Sequence, residues 1–181
     1  PMTYENIGFP HLDVLSQIEN KLRFPIIVKE AFGSFGQQVY MAKDHKELSE
    51  LTKKLENVPF LYQQYIRESS GRDIRLQVVG EEVVAAMERT SDTDFRANVS
   101  NGGKMHVYQP DKEAVELAVK ACRAVKCDFA GVDLLFGREG YLVCEVNSNA
   151  HFKNLLDCTG VNTAWYILQY IKKQGEPHHA K

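Results

Sequence analysis

No apolar run in this sequence approaches the about 20 residues that a membrane-crossing helix needs. The opening residues, Pro1-Met2-Thr3-Tyr4-Glu5, have neither the charged start nor the apolar stretch of a secretory signal. Charge of one sign is also missing. The formal net charge is −2 and the isoelectric point is about 6.4, so no global basic field recruits nucleic acid or an anionic membrane, and neither is expected as a partner. Local pairs such as Lys53-Lys54 and Lys172-Lys173 read as solvated helix faces. Cysteine is scarce: Cys122, Cys127, Cys144 and Cys158 contain no C-x-x-C pair. Cys122 and Cys144 fall at apolar-periodic positions, where a free thiol packs as a small hydrophobe. A reducing cytoplasm is the expected compartment. The six histidines show no ligand spacing, and His178-His179 lies in a polar tail. The P-loop pattern is absent, and no G-x-G-x-x-G follows a strand, which argues against both common nucleotide-binding turns.

What is present is ordinary globular material: 181 residues, 44% hydrophobic and 25% charged. The chain begins without methionine, and its first residues read as a loop feeding a helix, which suggests a segment of a longer protein. Leu12, Leu15, Ile18 and Leu22 recur at helical spacing after Pro10, predicting a helix over 11–22. Phe24 to Lys29 and Gln38 to Ala42 read as a two-stranded hairpin around a glycine-rich tip, Gly33 to Gly36. Asp44, with Glu47 three residues on, starts a helix over 45–55 in the manner of a capping box. Strands are expected at 60–66, 73–79 and 82–89, the last two joined by a tight Gly80-Glu81 turn. Ser91 to Gly103 reads as a polar, flexible segment. Asp111 caps a helix whose stripe is Val115, Leu117-Ala118, Ala121-Cys122 and Val125. Phe129 to Phe136 and Tyr141 to Asn147 form a further hairpin. A last helix, from about Asn162 to Lys172, is expected to bury Trp165, Leu168 and Ile171. Hairpins without regular β-α-β alternation predict an α+β fold with antiparallel sheets, with a lobe boundary between Ile66 and Gly71.

Asp133, Glu145 and Asn147 sit inside strongly apolar strands, where an ionised carboxylate is costly unless paired or metal-bound. Glu145 and Asn147 are two apart, so they share a face. Asp133 joins them if the register places it opposite Glu145. A three-residue loop Arg138-Glu139-Gly140, pairing Gly137 with Tyr141, does so, whereas a two-residue loop puts Asp133 on the wrong face. Three hard oxygen ligands suit Mg²⁺. The alternative is a buried Asp and Glu each satisfied by an arginine or a backbone amide. Lys29 ends an apolar strand four residues before Gly33-Ser34-Phe35-Gly36, a turn whose backbone amides can cradle phosphate beside an ammonium group. Arg89 and Arg96 are candidates to steady charge on a transferred phosphoryl group, with a plain surface loop as the alternative for 94–103.

In order along the chain stand Phe24-Pro25-Ile26-Ile27-Val28-Lys29, Gly33 to Gly36, Tyr62-Gln63-Gln64-Tyr65-Ile66 and Gly71-Arg72-Asp73-Ile74-Arg75. After them come Val78-Val79-Gly80, Ala85-Ala86-Met87-Glu88-Arg89, Asp94-Phe95-Arg96-Ala97-Asn98, Gly102-Gly103, Ala130-Gly131-Val132-Asp133-Leu134-Leu135 and Glu145-Val146-Asn147. This ordered set resembles the ATP-grasp superfamily, specifically the RimK-type alpha-L-glutamate ligases, from about residue 20 to 172. The resemblance implies an ATP-grasp fold whose smaller lobe (about 20–66) and larger lobe (about 67–175) grip the nucleotide. It implies Lys29 on the ATP phosphates under the flap formed by Gly33, Ser34, Phe35 and Gly36. Gln64 and Tyr65 fall at the adenine, Asp73 in the nucleotide site, and Arg96 and Asn98 along the phosphate and reaction region. Asp133, Glu145 and Asn147 become ligands of Mg²⁺, with Mn²⁺ as an alternative ion.

The implied activity is an ATP-dependent carboxylate–amine ligation through an acyl-phosphate. A small-molecule, peptide or protein carboxylate receives an amino-acid amine, glutamate being the type case. Two positions depart from the family pattern. Gln64 replaces a common acidic residue, and Ser148-Asn149-Ala150-His151 replaces a proline–glycine turn beside the acceptor region. The family's N-terminal domain has no counterpart in this chain, so a nucleotide-binding module inactive by itself is one alternative, and a phosphotransferase on the same fold is another. A homo-oligomer formed through the full-length protein is compatible with the resemblance.

Overall fold

A computed structural model describes residues 1–6, 14–33, 36–99 and 102–175. The chain divides into two compact units, Pro1–Arg67 and Glu68–Lys181. All strand pairs in both are antiparallel, giving the α+β class that the succession of hairpins implied.

In the first unit, strands β1 (Thr3–Asn6), β2 (Ile26–Glu30), β3 (Val39–Ala42) and β4 (Phe60–Gln64) lie in the order β1-β4-β2-β3, accompanied by helices α1 (Leu15–Leu22) and α2 (His45–Lys54). Leu15, Ile18 and Leu22, spaced three and four apart, bury one stripe of α1 with Ile26, Val28, Leu48, Phe60 and Tyr62. Asp44 caps α2 by accepting the Glu47 amide at 2.9 Å. Glu47 returns the bond to the amide of Lys43 at 2.8 Å, one residue before the cap. Pro10, His11 and Leu12 lie outside the described residues. The opening residues are not the expected loop: Thr3 to Asn6 pair with Gln63 to Phe60. Four residues carry no periodicity long enough to announce such an edge strand.

The second unit holds β5 (Arg72–Val79), β6 (Glu82–Thr90), β7 (Lys104–Val107), β8 (Phe129–Gly137) and β9 (Gly140–Asn147) in the order β7-β6-β5-β8-β9. Helix α3 (Lys112–Ala124) is capped by Asp111, which accepts from the Ala114 amide at 2.9 Å. It buries Ala114, Ala118, Val119 and Cys122 on Ile74, Leu76, Val78, Val132 and Leu134. Val125, expected in that stripe, is exposed because it sits just past the helix end. Helix α4 (Lys153–Thr159) sends Leu155 onto Ala85 and Met87. Neither α4 nor β7 was expected, as both are short and amphipathic only in the context of their neighbours.

Helix α5 (Thr163–Gly175) turns a different face inward from the one expected. Trp165, Leu168 and Ile171 are 53%, 64% and 53% exposed, while Thr163 is buried and Tyr170 rests on Gly80 with its hydroxyl bonded to Asp128 at 3.0 Å. The tyrosine anchor rotates the helix so that its most apolar stripe faces outward. The four cysteines are free, and no helix among the described residues is long and apolar enough to cross a membrane.

Candidate active site

Side chains alternate across β5, so Ile74, Leu76 and Val78 enter the core under α3 while Asp73, Arg75 and Gln77 point to the other face. Pairing sets each charge beside its opposite. Asp73 lies across from Arg89 on β6, Arg75 across from Asp133 on β8, and Asp133 across from Glu145 on β9. The Arg89 guanidinium grips Asp73 through Nε at 2.6 Å and Nη2 at 2.9 Å, and reaches Asp133 at 2.8 Å. Arg75 forks onto the two Asp133 oxygens at 2.6 and 2.7 Å. Arg89 and Asp133 are 4% and 3% exposed, so this chain of carboxylates and guanidiniums stands almost clear of water.

Burial by itself would raise the Asp133 carboxyl, but Arg89 and Arg75 outweigh it and hold the group well below the usual carboxylate range. Burial pushes the Asp73 carboxyl up against the attraction of Arg89, and the Asp133 charge adds to the push. One guanidinium shared by two carboxylates cannot satisfy both equally. Arg89 itself is held more firmly protonated, the two aspartates outweighing its burial.

The β8–β9 hairpin reaches the expected face by a different route. Its loop is the two-residue Arg138-Glu139, with Gly137 opposite Gly140, and not the three-residue loop pairing Gly137 with Tyr141. Gly140 has a φ of 115°, and a Cβ there would collide with Glu113. Left alone, that loop would send Asp133 and Glu145 to opposite faces. A bulge corrects it: Leu134 pairs with Val143 and Asp133 with Glu145, making Cys144 the extra residue.

Asp133, Glu145 and Asn147 therefore share a face. Asn147 donates to one Glu145 oxygen at 2.9 Å, which leaves the other Glu145 oxygen and the Asn147 carbonyl without a protein partner among the described residues. The Glu145 side chain is 49% exposed. Asp133 realises the alternative reading as well, since both its oxygens accept from arginine. Its Oδ1 accepts one bond and retains a lone pair. No cluster of three or more His, Cys, Asp or Glu able to hold a metal occurs among the described residues. The donor set fits a hard cation completed by phosphate oxygens and water, not one caged by protein alone.

The segment carrying Arg96 and Asn98 is anchored where a flexible loop was expected. The Gly71 amide donates to the Phe95 carbonyl at 2.9 Å, the Ser91 amide donates to the Gly71 carbonyl at 2.7 Å, and Ala97 is buried. Gly71, at a φ of 66°, passes so close that a Cβ would stand 2.5 Å from the Ser91 carbonyl. Arg96 is drawn back onto Asp94, with Nη2 2.7 Å from Oδ2. In the first unit, Lys29 lies opposite Val39 and Leu61 on the sheet face away from the core. Gln64, two and four residues on from Tyr62 and Phe60, shares their face, opposite to that of Lys29, and its backbone amide donates to the Met2 carbonyl at 2.9 Å. Tyr65 follows the strand and is half-buried. Gly33 and Gly36 lie in the β2–β3 connection, while Ser34 and Phe35 fall outside the described residues.

A family model described as the RimK-like ATP-grasp domain matches residues 10–171. The chain belongs to that family. It is 36% identical over 175 residues to a protein of Picosynechococcus sp. named probable alpha-L-glutamate ligase, covering 94% of this chain and 58% of that one. It is 32% identical over 174 residues to beta-citrylglutamate synthase B of Danio rerio, covering 94% of this chain and 43% of that protein. The chain thus spans about half the length of the curated relatives it matches. The ATP-grasp fold is shown by its likeness to the ligase PsnB complexed with minimal precursor, Mg and ADP. That TM-score is 0.73, with 19% identity, over 96% of this chain and 53% of the other.

Within this RimK-like domain two charged residues escaped sequence reasoning: Arg75 on the charged face, which forks onto Asp133, and Asp94 in the loop after β6, which holds Arg96. The signal for Arg75 was available. A charged residue in the middle of an apolar strand, two positions from Asp73, is the same pattern that drew attention to Asp133.

Proposed function

We propose that this RimK-like ATP-grasp domain binds ATP with Mg²⁺ and serves an ATP-dependent carboxylate–amine ligation. The observation that carries the reading is the row Asp133–Glu145–Asn147, in which Glu145 and Asn147 keep open oxygen donors beside a buried arginine network. Asp133, Glu145 and Asn147 would hold Mg²⁺, which supplies charge neutralisation at the phosphate oxygens. Lys29 neutralises further phosphate charge, the amides of Gly33 to Gly36 cover the phosphates, Gln64 and Tyr65 meet the adenine, and Asp73 belongs to the nucleotide site. Arg89 orients Asp133. Arg96, released from Asp94, and Asn98 steady the group in transfer.

In the reaction, a substrate carboxylate oxygen attacks the γ-phosphorus and the bond to the β-γ bridging oxygen breaks, giving an acyl-phosphate and ADP. An amine then attacks the acyl carbon, phosphate departs, the amine loses a proton and an amide remains. This chemistry needs positioning and charge stabilisation, with no protein nucleophile. The names of the two relatives point to glutamate as the amine and leave the carboxylate open between small molecule and peptide. We place the protein in the cytoplasm, where ATP is available.

Calorimetric titration of magnesium and a slowly hydrolysed ATP analogue tests the site. Binding that requires magnesium and is lost in a Glu145→Ala, Asn147→Ala variant is the expected result. The same titration on a chain extended to the length of its relatives separates a pocket needing more chain from a wrong assignment, and silence there overturns the reading. ADP release that depends on an added amine separates ligation from phosphoryl transfer to a hydroxyl.

A further inference from the structure

Glu145 and Asp133 face each other across the β8–β9 pair, and a third group stands at both. Arg75 is opposite Asp133 on the next strand, with Nη2 2.7 Å from Asp133 Oδ2 and 3.9 Å from Glu145 Oε1. We propose that Arg75 is a positioning residue that takes the place of a cation at the Asp133–Glu145 pair in the metal-free chain, so that a divalent ion enters only together with nucleotide phosphates. The proposal rests on the reading of Asp133, Glu145 and Asn147 as metal ligands.

The charge balance carries the argument. Asp73, Asp133 and Glu145 supply three negative charges, and Arg75 and Arg89 two positive ones, leaving −1. A neutral residue at 75 would leave −2 beside exposed oxygen donors, a setting that attracts a divalent ion by itself. With the guanidinium present, an ion arriving alone meets a positive charge that already stands at both carboxylates. Polyphosphate brings enough negative charge to offset that repulsion. The two contacts are unequal, which makes the exchange cheap for Arg75. It can yield Glu145 at 3.9 Å while keeping both bonds to Asp133, so it is never left buried without a partner. Arg89 has no such role, since among the described residues its ion pairs run to Asp73 and Asp133 and the one to Glu145 comes from Arg75.

The test uses Mn²⁺ alone, with free ion counted by its paramagnetic resonance signal, on the unsubstituted chain and on Arg75→Met, Arg75→Gln and Arg75→Lys. Gln keeps an N–H for Asp133 and secures a folded neutral variant if Met does not fold. The neutral variants are expected to bind Mn²⁺ roughly ten-fold or more tighter than the unsubstituted chain, by removal of a nearby like charge. The lysine variant should bind as weakly as the unsubstituted chain. Mg²⁺ without nucleotide should raise Tm in the neutral variants only. A merely structural arginine would lower Tm in every variant and leave the affinity for Mn²⁺ unchanged, and that result overturns the proposal. So does tight binding of Mn²⁺ alone by the unsubstituted chain. If the proposal fails while magnesium-dependent nucleotide binding persists and is lost in Glu145→Ala, Asn147→Ala, the metal-site reading stands without it. Loss of both removes the reading itself.

Discussion

The two faces of the five-stranded sheet are made from the same strands and obey opposite rules. On the face under α3, Ile74, Leu76, Val78, Val132 and Leu134 are interchangeable in kind, each stabilising the fold through the area it removes from water. On the other face, the odd-numbered neighbours Asp73, Arg75, Arg89 and Asp133 are specific in pairs. Each guanidinium has a carboxylate directly across a ladder, and a residue removed from one side strands a charge on the other. Volume governs the first face and partnership the second.

Breaking the paired face should have the largest effect. Arg89→Ala leaves Asp73 and Asp133 buried without their shared partner, and a loss of about 3–5 kcal/mol is expected from the urea midpoint. On the apolar face, Leu76→Ala should cost about 2–5 kcal/mol and leave the ion pairs intact. Conservative changes sharpen the contrast. Leu76→Met should cost less than about 1.5 kcal/mol, while Arg89→Lys loses the fork and should cost more than Leu76→Met in the same urea titration.

Acid distinguishes the faces again. The Asp133 carboxyl is depressed in the fold, so its stabilisation is complete above the unfolded value near about 4 and is lost as pH falls below it. Asp73 is raised, so the folded state takes up its proton first, and this share of stability grows as pH falls toward the unfolded value. Stability measured from pH 7 downward should therefore decline more shallowly in Asp133→Asn and more steeply in Asp73→Asn. Leu76→Ala should shift the whole curve without changing its slope. The smallest effect is expected on the outward side of α5, where Trp165→Ser should alter stability by no more than about 0.5 kcal/mol.

Much of the fold was legible where a pattern is local and long enough. The stripe Leu15, Ile18, Leu22, the Asp44 and Asp111 caps and the Gly80-Glu81 turn all appear in the sequence as spacing or residue type, and all form. The Asp133, Glu145, Asn147 row was legible because charge inside an apolar strand needs a reason. Arg75 sends the same signal but was passed over. Strands β1 and β7 and helix α4 were not legible, because four to seven residues complete no convincing period. The inward face of α5 was misread because apolarity alone does not say which side packs. Tyr170 settles that by docking on Gly80.

By itself the sequence determined the antiparallel α+β class, the helix starts and which strands carry charge, since these follow from short-range periodicity and capping. Only the tertiary structure decided that a bulge at Cys144, and not the hairpin loop, brings Asp133 opposite Glu145. It also decided that Arg75 and Arg89 divide the carboxylates between them. The reason is physical. Register depends on one inserted residue within a ladder, and a guanidinium takes the partners that neighbouring strands deliver, so neither is encoded within the reach of any single segment.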